Sequence, residues 1–282
     1  MKQINTILIE EKVKELLLEA NYSIGNDVLD SINKGIELET KELPKLVLQK
    51  IIENDDIAEN ERIPMCQDTG MAVIFLEIGQ GVILTGKSLY DAINGGVEKA
   101  YTKGYLRMSV VDDPLFERKN TNKNTPAIIY TDIVDGDEIK ITVAPKGFGS
   151  ENMSAIKMLK PADGVDGVKD FVVETVKKAG PNPCPPIIVG VGIGGTFEKA
   201  AYLAKKALTR EIGCHNLNQS YESLEREILL LVNELNIGPA GLGGKTTALG
   251  VNIEYFPTHI AGLPVAVNIC CHAYRHKSGI VR

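Results

Sequence analysis

The chain changes character near residue 60. Before that point, apolar residues repeat at helical spacing: Val13, Leu16, Leu17 and Ala20, then Leu46, Val47 and Ile51, with Gly25 and Pro44 as punctuation. After it, short strand-like runs alternate with helical stretches and with turns rich in glycine and proline. That order predicts an α+β fold, helical over about residues 1–60 and mixed in strands and helices thereafter. No Ser- or Pro-rich linker, internal repeat or low-complexity tract divides the 282 residues. A single mixed domain over 1–282 is therefore expected.

Local signals fill in this outline. A buried strand is expected over 71–78. A helix is expected over 88–103, with Ser88 as its cap and Gly104 as its stop. Asp135-Gly136 sits between strand-like runs at 127–134 and 138–143, the sequence pattern of a β-hairpin. The stretch 145–154 reads as a glycine loop opening a helix capped by Ser150. Helices follow over 165–178, 196–208 and 221–235, the last amphipathic. Strands follow over 187–192, 248–255 and 265–269.

Charge and composition exclude several function classes. A net charge of −6 without a basic run argues against a nucleic-acid surface. The most apolar stretches, 187–193 and 263–271, fall far short of the roughly 20 residues that cross a bilayer. The N-terminus lacks the apolar region of a signal peptide. Five cysteines without framework spacing fit a reducing compartment, so a cytoplasmic location is expected.

Three of those cysteines sit in segments built like sites. Cys66 lies in Pro-Met-Cys-Gln-Asp-Thr-Gly (64–70). Cys184 lies in Pro-Asn-Pro-Cys-Pro-Pro (181–186), just before a strand. Cys271 ends Val-Asn-Ile-Cys-Cys-His (267–272). Free thiols are often small buried hydrophobes, a reading that suits Cys214 and Cys270 better than Cys66, whose neighbours are Gln67, Asp68 and Thr69. Structural zinc takes close C-x-x-C pairs, and none occur. Three distant thiolates suit three corners of an iron–sulfur cube, assembled by the whole fold, with one iron left open. A zinc or scaffold protein with structural cysteines stays open as an alternative.

Two glycine motifs carry weaker signals. Residues 190–195 fit G-x-G-x-x-G after a strand and before a helix, with Glu211 at a suitable distance for a ribose. A nucleotide-dependent enzyme is the alternative from a different class. A close-packed strand–helix turn is the plainer reading. Gly241-Leu-Gly-Gly-Lys-Thr-Thr (241–247) resembles a P-loop but carries Pro239 where that loop needs glycine. Lys245 there suits recognition of a carboxylate. His259, in Phe-Pro-Thr-His-Ile-Ala-Gly (256–262), lies in a loop setting that suits catalysis.

Taken in order over about residues 60–276, these segments resemble the α-subunit, or N-terminal catalytic half, of the iron–sulfur hydro-lyases: class I fumarate hydratase and L(+)-tartrate dehydratase. Lys-Gly-Phe-Gly-Ser-Glu-Asn-Met-Ser (146–154) belongs to the same set. The resemblance implies a [4Fe–4S] cluster on Cys66, Cys184 and Cys271, the last chosen over Cys270 by the family's spacing. It implies that Gln67, Asp68, Arg107, Gly147 and Gly149 contact a small dicarboxylate, with His259 nearby and Lys245 assisting. It also implies a separate β-subunit that completes the site, because the chain ends at Arg282, soon after the third cysteine. An α₂β₂ assembly or an α homodimer is expected. In the chemistry so implied, Arg107 clamps a carboxylate and backbone N–H groups of 147–149 steady the developing charge. Asp68 passes a proton to the departing hydroxide, and His259 orients the hydroxyl. Hydration of fumarate to malate is the expected reaction, and conversion of tartrate to oxaloacetate the alternative.

Overall fold

The computed structural model describes residues 2–282. In chain order the elements are β1 (Lys2–Asn5), α1 (Thr6–Tyr22), α2 (Asn26–Leu38), α3 (Glu42–Glu61), β2 (Met71–Gly79), β3 (Val82–Thr85), α4 (Leu89–Lys103), β4 (Ile128–Val134) and β5 (Ile139–Lys146). Then come α5 (Phe148–Glu151), β6 (Ala155–Leu159), α6 (Gly164–Ala179), β7 (Ile187–Gly194), α7 (Phe197–Ala207), α8 (Gln219–Glu234), β8 (Ala248–Phe256), β9 (Leu263–Cys270) and β10 (Lys277–Val281). The mixture is the expected α+β class. It gathers into two compact units: residues up to Ile24, Asn54–Phe148 and Arg275–Arg282 form the first, and Gly25–Glu53 with Gly149–Tyr274 form the second.

In the first unit the principal sheet has the order β10-β5-β2-β4. β2 is apolar and buried along nearly its whole length, so it takes a central position. Ile74 pairs with Val143 of antiparallel β5 on one side and with Ile129 of parallel β4 on the other. The hairpin expected at Asp135-Gly136 is therefore not formed. The turn exists, but β2 lies between the two strands that it connects. Local turn chemistry specifies a reversal of direction, whereas pairing follows burial: β4 is largely exposed and stays at the edge. Ile9, Val13 and Leu17 of α1 pack with Ile93, Val97 and Tyr101 of α4 and with Ile74, Ile141 and Val143 in one core. α4 starts as expected, with Ser88 Oγ accepting the Asp91 N–H at 3.1 Å, and Gly104 caps its end. A small parallel pair, β1 with β3, escaped the sequence reading, as did β10.

The second unit is built on a sheet of order β6-β9-β7-β8. β7 is buried throughout, runs parallel to β8 and antiparallel to β9. The two-residue period of a strand divides its side chains cleanly. Val189 and Val191 join Val172 and Val176 of α6 and Ile228 and Val232 of α8 in the core. Gly190 and Gly192 face α7. A Cβ at Gly190 would lie 2.2 Å from the Ala204 carbonyl oxygen, and one at Gly192 would lie 2.0 Å from that of Ala200. These glycines sit inside the strand and admit a helix backbone. That packing accounts for the first two glycines of the G-x-G-x-x-G pattern, and the third, Gly195, takes a φ of +68° in the turn after the strand.

One local expectation fails outright. Ser150 does not cap a helix, because α5 is a single turn that already includes it, and the chain then enters β6. Among the described residues, no helix is long and apolar enough to cross a membrane.

Candidate functional site

The segment after α3 delivers Cys66, Gln67 and Asp68, and the first unit fixes it from several sides. Met65 is buried. Its N–H donates to the Asn21 carbonyl at 3.0 Å, and its own carbonyl accepts from Asn54 Nδ2 at 3.0 Å. Asp68 turns back on its own loop, Oδ1 accepting the Gly70 N–H at 3.0 Å. Its Oδ2 accepts the Phe148 N–H at 2.8 Å. One N–H of the 147–149 stretch is thus engaged with Asp68. Gly147 serves through its lack of a side chain: a Cβ there would sit 3.1 Å from Asp68 Oδ2 and 3.4 Å from Arg275 Nη2.

Arg107 is tied to the same loop. The buried hydroxyl of Thr69 accepts the Arg107 N–H at 3.0 Å and reaches the Arg107 carbonyl at 3.2 Å. Behind Thr69, the Tyr101 hydroxyl lies 2.9 Å from the Thr69 carbonyl oxygen and 3.0 Å from that of Gly70. Burial pushes the Tyr101 phenol further above its ordinary range, so it remains a donor at any working pH. Asn124 Nδ2 adds a bond to the Gly70 carbonyl at 3.0 Å. The backbone of the region is locked, while Gln67 and Arg107 are exposed and Cys66 and Asp68 half-exposed. Five expected site residues, Cys66, Gln67, Asp68, Arg107 and Gly147, are brought together in this way.

In the second unit, strand register decides which loops meet. Ile188 of β7 pairs with Cys270 of β9, and Ile187 pairs with Ala248 of β8. The segment bearing Cys184, the residue Cys271 just past β9, and the loop before β8 therefore emerge at one end of the sheet. β6 begins at this end too, since Ala155 pairs with Val267. Gly149 belongs here, its nearest outside neighbour being the Asn182 carbonyl oxygen, 3.9 Å from where its Cβ would stand. Cys184 is exposed and holds a φ of +55°. A non-glycine residue in that conformation is strained, and such strain concentrates at functional positions. Cys270 is buried at the end of its strand, whereas Cys271 is half-buried beyond it.

His259 does not join Cys184 and Cys271. It lies in the β8–β9 connection, at the opposite end of the same sheet. The eight residues of β9 separate the two ends by roughly 25 Å at about 3.3 Å per residue. His259 is exposed there, with Nδ1 accepting the Ala261 N–H at 3.2 Å. Lys245 is exposed at the cysteine end of the sheet but lines a different space. This cavity of about 580 Å³ is walled by α2, α8 and β8, and neither Cys184 nor Cys271 contributes to it.

Among the described residues, no three His, Cys, Asp or Glu side chains are gathered to hold a single metal ion. Cys66 in the first unit, and Cys184 and Cys271 in the second, are thiols in irregular segments, each at least partly accessible. A cube spreads its protein ligands over separate irons, so it does not ask three side chains to share one ion. Sequence reasoning missed the supporting residues Asn21, Thr69, Tyr101, Asn124 and Arg275. Only Thr69 lay inside a motif that it had marked.

Comparison with known proteins adds three findings. The fumarate hydratase (Fumerase) family model matches residues 10–280. A Methanocaldococcus jannaschii protein named "Putative L(+)-tartrate dehydratase subunit alpha" is 45% identical over 271 residues, 95% of this chain and 95% of that one. The Escherichia coli (strain K12) "L(+)-tartrate dehydratase subunit alpha" is 35% identical over 260 residues, 91% of this chain and 85% of its own length.

Proposed function

The chain belongs to the fumarate hydratase (Fumerase) family, and from that premise we propose that it is the α-subunit of an iron–sulfur hydro-lyase that interconverts fumarate and malate. The observation that carries the reading is the loop cluster of the first unit. There the loop that carries Cys66 also carries a backbone-anchored carboxylate, Asp68, and its Thr69 holds the backbone of an exposed arginine, Arg107.

The ligands of the [4Fe–4S] cluster in this reading are Cys66, Cys184 and Cys271. Such a cluster, with one iron free of protein, supplies a Lewis acid for the hydroxyl that is lost or gained. The chain's own residues do the rest. Arg107 offers a planar fork to a carboxylate of the substrate. Gln67, exposed beside it, adds a carboxamide that orients the diacid. Asp68 gives a proton to the hydroxide that departs in dehydration and takes one from water in hydration. Each Asp68 oxygen already accepts one backbone N–H, which fixes the carboxylate plane and leaves a second lone pair for that exchange. Gly149 shares an end of its sheet with Cys184 and Cys271 and keeps the approach there open. His259 takes no part within its own chain, because the sheet holds it far from those cysteines. Lys245 lines a separate cavity and is left a minor role.

The relatives carry the word "subunit" in their names. A separate β-subunit is therefore part of the proposal, and it supplies the base that removes the carbon-bound proton. Those same names favour a second reading, with L(+)-tartrate as the substrate. The test is co-expression with the β-subunit and purification without oxygen. About four iron atoms per chain and hydration of fumarate are expected. Turnover of tartrate but not of fumarate would select the second reading. Zinc in place of iron, or turnover of neither diacid, would overturn both.

A further inference from the structure

Arg275 is 4% exposed, and among the described residues no carboxylate lies within ion-pair distance of it. A buried cation without an ion pair is costly and is retained where its hydrogen bonds have a purpose. Those bonds are specific. Nη2 donates to the Asp68 carbonyl at 2.8 Å, and Nη1 donates to Asn21 Oδ1 at 3.1 Å. Asn21 is itself fully buried, and its Nδ2 donates to the Leu17 carbonyl at 2.8 Å, one turn earlier in α1. The backbone carbonyl of the same Asn21 accepts the Met65 N–H.

These bonds form a closed frame. Asn21 holds Met65 directly and holds Asp68 through Arg275. The two residues between them, Cys66 and Gln67, have no freedom to drift along the chain. A methyl on Gly147 would touch both the Arg275 guanidinium and the Asp68 carboxylate, so both groups lie against that glycine.

We propose that Arg275 is a positioning residue, which with Asn21 clamps the 65–68 segment and so sets the Cys66 thiol and the Asp68 carboxylate for the reaction. This inference rests on the hydro-lyase reading for its kinetic consequence but not for the clamp itself. Arg275 does not touch substrate; it acts through the loop.

The experiment compares wild type with Arg275→Met and Asn21→Ala, both purified with the β-subunit without oxygen. Asn21→Ala keeps the backbone bond to Met65 and removes the acceptor for Arg275, along with a local bond to the Leu17 carbonyl within α1, so it reports on the clamp should Arg275→Met fold poorly. Amide hydrogen exchange of the peptide over 65–70 is read first, in protein stripped of iron. Exchange there is expected to rise at least tenfold in either variant, with β2 and β5 unchanged. With iron restored, kcat is expected to fall at least tenfold while KM stays within twofold. In an Asp68→Asn background the Arg275→Met change is expected to have little further effect, since it works through that carboxylate. Unchanged exchange over 65–70 in the folded variants overturns the clamp, whatever the activity. Faster exchange with wild-type kcat overturns its role in the reaction. Wild-type protein that turns over neither diacid defeats the functional reading alone, and the exchange result still decides the clamp.

Discussion

The Thr69 hydroxyl is bonded to both faces of one residue: it accepts the Arg107 N–H and reaches the Arg107 carbonyl. A buried threonine thereby fixes the backbone of an exposed arginine 38 positions along the chain. Thr69→Val keeps the shape and leaves an N–H without its acceptor. A loss of about 1–3 kcal/mol is expected in urea titrations. A higher KM for the diacid should accompany it, because the guanidinium loses its mount. Equal KM in the two proteins would show that Arg107 is oriented by something else.

Arg107→Lys tests the fork itself. It keeps the charge and loses the planar pair of donors. A tenfold or greater rise in KM, with the iron content unchanged, is the expected outcome. A variant with wild-type KM would remove Arg107 from substrate binding.

Neighbouring cysteines should behave differently. Cys270 is buried at the end of β9 and Cys271 lies just beyond it. Cys271→Ala is expected to lower iron per chain and abolish turnover. Cys270→Ala is expected to keep both, at a stability cost of about 1 kcal/mol for the small cavity. Metal analysis of the two proteins decides, and the reverse pattern would move the third ligand back by one residue.

Asp55 gives the chain a pH-dependent weakness. It is buried with Oδ2 unpartnered, and burial pushes its carboxyl up to about 6. A group whose pKa is raised by folding stabilises the folded state below its unfolded pKa, and that contribution is lost as pH rises through the folded value. Ionising Asp55 between about pH 4 and 6 thus costs up to roughly 3 kcal/mol. Asp55→Asn should match wild type near pH 4 and exceed it at pH 8. Urea midpoints at the two pH values check this, and parallel curves would refute it.

Gly192→Ala examines the strand–helix contact. Its methyl would enter the space of the Ala200 carbonyl, which is backbone and cannot rotate away. A loss of about 3 kcal/mol or more is expected, visible as a lowered melting temperature. A fully stable variant would mean that α7 can retreat from the sheet.

What was legible in the sequence follows from the range of the forces involved. Ser88 and Gly104 bracket α4 as expected because capping is decided within a few residues. The buried runs of β2 and β7 were visible for a similar reason. The pairing of β2 between β4 and β5 was not, because Asp135-Gly136 records only a change of direction. The motif around Cys66 marked its chemistry, and Thr69 came with it. Arg275 had no such signature, since a charged residue beside the last strand reads as surface until the fold buries it. His259 was rightly assigned to a loop, but which end of the sheet that loop occupies depends on the register of β7 with β9.

The first unit is not written as one stretch of sequence. β10 pairs with β5 across more than a hundred intervening residues, and Arg275 lies just ahead of it. During synthesis the ribosome releases residues 65–68 long before residue 275. The loop that carries Cys66 must wait for its bond from Arg275 while residues 149–274, the larger part of the second unit, are made. Any metal delivered in that interval would meet a thiol not yet held in its final pose.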